Sequence, residues 1–151
     1  MCLAVAIAAV DWWSVSTGRG AVEQIAKPLV MVALIGIALS IDAEPAAARW
    51  LVVAGLLCGL VGDVMLLPQV DRFLYGLGAF LIGHGFYVAA FATMELAFIG
   101  IVGGITAAAF LLGYLAVPVV KKVRGGSLFV PVVAYMTVVG LLVVFGTATH
   151  R

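Results

Sequence analysis

Charged side chains are scarce in this chain of 151 residues: eight Lys and Arg and seven Asp and Glu make up 10% of its positions. Soluble domains carry about 25%, so the polar surface needed to clothe a water-soluble fold is missing. Cysteine is scarcer still. Cys2 and Cys58 are too few for a disulfide framework, and Cys58 sits inside an apolar run, where a thiol behaves as an inert small hydrophobe. The small share of Lys, Glu, Ser and Gln excludes intrinsic disorder, and a net charge of +1 removes the electrostatic basis for a nucleic-acid partner. The chain also lacks a phosphate-cradling glycine loop, a paired-cysteine zinc motif and a serine elbow. Hydrocarbon is what remains: 66% of positions are hydrophobic and the mean hydropathy is +1.29. Such a composition belongs in a bilayer.

A hydrocarbon core of about 30 Å takes roughly 20 apolar residues as a helix, the form that satisfies every backbone amide within the segment. Six apolar runs can be read against that length: Met1 to Trp13, Lys27-Pro28 to Ile41, Arg49 or Trp50 to Leu67-Pro68, Phe73 to Met94, Leu96 to Val120, and Leu128 to Gly146. The expected fold is therefore all-α, a polytopic transmembrane bundle of about six helices forming one integral membrane domain over residues 1–151. The first run is shorter than a span and lacks the basic stretch of a signal peptide, so it reads as the remnant of a helix. The abrupt end after the sixth run points the same way, to a fragment of a longer bundle.

Prolines are few and placed as punctuation. Pro28 follows Lys27 at an expected helix start, Pro45 and Pro68 fall in connections, and Pro118 and Pro131 lie near the ends of the fifth and sixth runs, where they are expected to bend the helices. Glycine, by contrast, is plentiful, with 18 residues concentrated inside the runs. Gly55, Gly59 and Gly62 form one small-residue stripe, and Gly76 and Gly83 lie close to one face of the next helix, a pattern that lets backbones approach closely in lipid. Lys and Arg set orientation. Arg19, Lys27, Arg72, Lys121, Lys122 and Arg124 fall on one side and Arg49 and Arg151 on the other. The basic segments 14–27, 68–72 and 120–127 are expected in the cytoplasm of a multi-pass protein of the cell membrane, with Trp12, Trp13, Trp50 and Tyr75 as interfacial belt.

A charge within a span costs about 2.5–3.5 kcal/mol even on the lenient insertion scale, which makes such a residue a functional candidate. Asp63 lies in the third run, roughly 6 Å from the basic end at 1.5 Å per residue. His84 lies in the fourth run at about 16 Å, with Tyr87 one turn further, and Tyr135 in the sixth at about 10 Å. Lys27 stands at the mouth of the second run. An acid, an imidazole, two phenols and an ammonium thus gather in one half of the bundle. Carboxyls in apolar surroundings hold a proton and imidazoles lose theirs, the condition for acid and base work near neutral pH. Each residue also has a plain structural role open to it: Asp63 as a snorkelling or Lys27-paired helix end, His84 as a donor to a carbonyl, Tyr87 and Tyr135 as packing rings. Asp63 and His84 alone are too few ligands for a metal, and no cofactor is called for.

The order Lys27-Pro28-Leu29, then Gly62-Asp63-Val64-Met65-Leu66, then Phe73-Leu74-Tyr75-Gly76-Leu77-Gly78-Ala79-Phe80, then Gly83-His84-Gly85-Phe86-Tyr87 and Phe91 resembles the YhhN family. The resemblance runs from about Lys27 to Tyr135. It implies a membrane protein of about eight helices, similar to animal lysoplasmalogenases, that hydrolyses the vinyl ether bond of a lysophospholipid within the bilayer to a fatty aldehyde and a glycerophospho-alcohol. By position it implies roles for Asp63, His84, Tyr87 and Lys27; Asp63, His84 and Tyr87 are expected to be catalytic, and Lys27, together with Tyr135 from the reading at membrane depth, substrate-binding. Two departures stand out: Gly59 replaces a serine common in the family, and the family's later serine-aspartate motif has no counterpart in the chain. Two other classes compete, a small proton-coupled transporter with Asp63 and His84 as its relay, and a non-catalytic membrane structural protein.

Overall fold

The computed structural model describes residues 20–42 and 44–149. Over them the chain forms α1 (Gly20–Ser40), α2 (Ala46–Met65), α3 (Phe73–Ala92), α4 (Phe98–Leu111), α5 (Val117–Val123) and α6 (Phe129–Ala148), with a π-helical turn, Leu112–Ala116, fusing α4 to α5. Four helical stretches, Ala46–Met65, Phe73–Ala92, Phe98–Val123 and Phe129–Ala148, are long and apolar enough to cross a bilayer, and Gln24–Ser40 is a shorter apolar one. The chain is a helical membrane bundle, as its composition demands. The run Met1–Trp13, with Trp12 and Trp13, lies outside the described residues, as do Arg19 and Arg151.

Proline placement needs one correction. Pro28 does not open α1; the helix starts at Gly20 and carries Pro28 in its interior, leaving the carbonyl of Gln24 without its helical donor. Ala21, Glu23, Gln24 and Ala26 are good helix formers, and they extend the helix past the boundary that proline alone suggested. Pro131 falls in the first turn of α6, where amide hydrogens have no intrahelical partner anyway. Pro118 does perturb its helix. It offers no hydrogen to the carbonyl of Tyr114, which its ring would strike in a regular helix, and Tyr114 lies within the π turn that widens the ladder there.

Short connections fix the topology. Between α2 and α3 the amides of Val70 and Asp71 both reach the Leu67 carbonyl at 2.9 Å, and Arg72 N–H reaches Met65 at 2.9 Å. Asp71 takes a left-handed φ of 44°, which its short polar side chain tolerates. At the end of α5, Gly125 has φ of 83°, a conformation natural to glycine beyond a helix terminus. Ala97 N–H donates to the Ala148 carbonyl at 2.7 Å, tying the α3–α4 connection to the last turn of α6, so α3 and α6 run parallel. Among the described residues the packing order is α1 on α2, α2 on α3, α3 on α6, and α6 on α4.

Two glycine seams hold the layers. On α2, Gly55, Gly59 and Gly62 are buried, as are Gly76 and Gly83 on α3. A Cβ on Gly83 would come within 2.9 Å of the Gly55 carbonyl oxygen, so the two backbones meet there. The second seam was not anticipated from the residues. Gly100 and Gly104 form a G-x-x-x-G on α4 that presses directly on the backbone of α6 at Val144, Thr147 and Ala148. The Thr147 hydroxyl donates to Val143 O at 2.8 Å and lies 3.3 Å from Gly100 O.

Candidate functional site

The α2–α3 seam places rings where a larger residue on α2 would exclude them. Tyr87 lies against Gly55, with its Cδ1 2.7 Å from where a Cβ would stand, and the Phe80 ring lies face-on over Gly62 at 2.8–2.9 Å. These two pairs define an antiparallel register. Within it His84 lies level with Cys58, and Asp63 is five residues further along α2, about 7 Å along the axis toward the basic end.

His84 is half-buried and its Nδ1 lies 2.7 Å from the Phe80 carbonyl oxygen, one turn back on α3. A carbonyl only accepts, so Nδ1 carries the hydrogen; in the neutral ring Nε2 is then an acceptor. Two phenol rings meet the imidazole edge to face: Tyr87 at 6.0 Å between centroids and 72°, and Tyr135 of α6 at 5.4 Å and 76°. Three of the expected site residues, one of them from a helix distant in sequence, are thereby brought together.

They border a cavity of about 170 Å3 between α1, α2 and α3, lined by Met31, Gly55, Gly59, Phe80, Gly83, His84 and Tyr87. Its walls are apolar apart from the imidazole and the phenol. Asp63, Lys27 and Tyr135 are not part of this lining. A Cβ on Gly59 would meet the Met31 methyl at 2.6 Å, and this pair joins α1 to α2 at the cavity. Asp63 is one turn beyond Gly59 and Lys27 one turn before Met31, so both follow the cavity faces toward the basic end. Asp63 and Lys27 are each half-buried. Met31, Gly55 and Phe80 had not been singled out as site members. Each sits one or two turns from a residue that had been, and only the packing of α1 against α2 and α3 brings them to one cavity.

A second, wider and apolar groove of about 460 Å3 runs between α3 and α6, lined by Tyr87, Phe91, Leu142, Val143, Gly146 and Thr147. Tyr87 belongs to the lining of both spaces. Among the described residues no three His, Cys, Asp or Glu side chains gather in a set able to hold a metal ion. The arrangement offers an imidazole and one phenol in an apolar chamber, with a second phenol edge-on to the imidazole and an acid and a cation one turn below.

Comparison with known proteins adds the lineage. The model of the YhhN family matches residues 22–151. "Uncharacterized membrane protein YhhN" from Escherichia coli O157:H7 and its namesake from Shigella flexneri are each 35% identical over 98 residues, 62% of this chain and 47% of theirs. The chain spans about half the length of the curated relatives it matches. No solved structure matches it.

Proposed function

The chain belongs to the YhhN family, and from that premise we propose that it is a membrane hydrolase that cleaves the vinyl ether bond of lysoplasmalogens to a fatty aldehyde and a glycerophospho-alcohol. The observation that carries this reading is the chamber between α1, α2 and α3. It puts the His84 imidazole and the Tyr87 phenol at membrane depth beside an apolar groove, with Asp63 and Lys27 one turn nearer the basic end.

A lysoplasmalogen fits that order of groups from end to end. Its phosphate meets Lys27 at the mouth, its vinyl ether lies at the Asp63 end of the chamber, and its hydrocarbon chain lies along Tyr87 and Phe91 between α3 and α6. The basic connections 68–72 and 120–127, with segment 14–27, face the cytoplasm of the cell membrane, so the lysolipid enters from the cytoplasmic leaflet.

The chemistry needs a proton donor, a positioned water and an environment that tolerates transient positive charge. The Asp63 carboxyl protonates the β-carbon of the vinyl ether, and the double bond becomes an oxocarbenium ion next to the carboxylate so formed. Water held by His84 Nε2 and the Tyr87 hydroxyl adds to the cationic carbon and gives up a proton to that carboxylate. The resulting hemiacetal loses its hydroxyl proton as the glycerol oxygen departs and takes one up, giving aldehyde and alcohol with no net change in acid or base. Tyr135, edge-on to His84, holds the imidazole plane.

Incubation of the purified full chain with a lysoplasmenyl-ethanolamine tests this directly. Aldehyde is expected to appear with wild-type protein and to fall by about 10²–10⁴-fold in Asp63→Asn. Absence of aldehyde above the protein-free blank overturns the hydrolase; undiminished release by Asp63→Asn removes that carboxyl from the mechanism.

A further inference from the structure

At the end of the bundle away from Asp63 and Lys27, a second cavity of about 150 Å3 is lined by Ala38, Ile41, Ala48, Arg49, Val52 and Met94. It lies where the last turn of α1, the first turns of α2 and the α3–α4 connection converge. All of its walls are apolar except one, the Arg49 side chain. Trp50, 57% exposed, sits beside it with the guanidinium 5.4 Å from the ring centroid, at the level where a bilayer turns from hydrocarbon to headgroup.

Nothing in the helix itself accounts for this arginine. A cation in the N-terminal turns of a helix opposes the macrodipole rather than complementing it. Its ion pair, Nη1 to Asp42 at 3.1 Å, engages a fully exposed carboxylate, and pairs of that kind contribute little. Nη1 also lies 3.3 Å from the Ile41 carbonyl. At the base of the group Nε is buried and meets no acceptor among the described residues, a costly state for a charged donor. The guanidinium therefore spans water on one side and a hydrocarbon-lined cavity on the other, with donor capacity left over.

We propose that this pocket binds a single anionic amphiphile. Its acidic headgroup, a phosphate or a carboxylate, sits on the Arg49 guanidinium in place of the exposed Asp42, and the start of its acyl chain enters the cavity past Ala38, Val52 and Met94. The site is separate from the proposed hydrolytic chamber and does not depend on it. An anionic bilayer lipid of the leaflet opposite the basic connections is the ligand of matching chemistry.

Native mass spectrometry of the full chain in detergent tests the assignment, with dioleoyl-phosphatidylglycerol, dioleoyl-phosphatidylcholine and inorganic phosphate as probes. Wild-type protein is expected to retain one phosphatidylglycerol in preference to phosphatidylcholine, and millimolar phosphate is expected not to displace it. Arg49→Gln should weaken retention about tenfold or more, the loss of a charge-assisted contact. Ala38→Phe, which fills the cavity and leaves the charge in place, should weaken it as well. Equal retention by Arg49→Gln, equal binding of phosphatidylcholine, displacement by free phosphate, or indifference to Ala38→Phe overturns the proposal. Unchanged thermal unfolding of both variants identifies their loss of lipid as local.

Discussion

The two glycine seams of this bundle use the same residue to opposite ends. Between α4 and α6, Gly100 and Gly104 bring backbone onto backbone, and a Cβ on Gly104 would stand 2.7 Å from the Val144 Cα. The polar group at that contact, the Thr147 hydroxyl, is satisfied within α6 and toward Gly100. Between α2 and α3 backbones come close near Gly83 and again near Gly76, while Gly55 and Gly62 make room for the rings of Tyr87 and Phe80. The first seam is a fastener. The second is a seat, which holds aromatic rings next to an imidazole and leaves a chamber beside them. In lipid, where burial of apolar surface does not drive helices together, close approach serves adhesion in one place and the shaping of a cavity in the other.

That contrast predicts a division of labour: changes at the α2–α3 seam should strike activity and spare the fold, and changes at the α4–α6 seam the reverse. The largest effect expected is that of Asp63→Asn on aldehyde release, about 10²–10⁴-fold, with detergent melting curves close to wild type. Next comes Gly55→Leu. The new side chain takes the place of the Tyr87 ring, and because a ring can swing where a backbone cannot, we expect a rate loss of about a hundredfold with the helices still assembled; a collapse of the bundle instead would erase the distinction between seat and fastener. Gly104→Leu meets backbone that cannot yield and should cost about 1–3 kcal/mol of stability, measured by unfolding in detergent, while whatever folded protein remains turns over substrate normally. Thr147→Val is the mildest, about 0.6 kcal/mol for one interhelical hydrogen bond, and a larger loss would show that the hydroxyl and not the glycines holds α4 to α6.

The sequence announced much of this. Run lengths placed α2, α3 and α6 to within a few residues of their ends, because a bilayer imposes a minimum length and excludes unsatisfied backbone. The stripe Gly55, Gly59, Gly62 and its counterpart Gly76, Gly83 were visible as spacing. The G-x-x-x-G at Gly100 and Gly104 was equally visible and went unread, since glycines are abundant in the fifth run and no charge marks them. Proline misled at Pro28, where local helix formers outweigh a positional preference, and at Pro118 the missing donor is accompanied by a wider turn.

By itself, then, the order of residues determined that the chain lives in a bilayer as a bundle of helices, and which few polar groups it carries to membrane depth. Both follow from solvent alone, because hydrocarbon tolerates neither bare backbone nor stray charge. Spacing along one helix gives faces, not neighbours. Only the tertiary structure decided that Tyr135, from a helix distant in the chain, stands edge-on to His84. It also decided that Tyr87 rests on a glycine and borders two spaces at once, and that Arg49, read as a mere topology marker, lines a cavity and keeps one buried donor without an acceptor among the described residues.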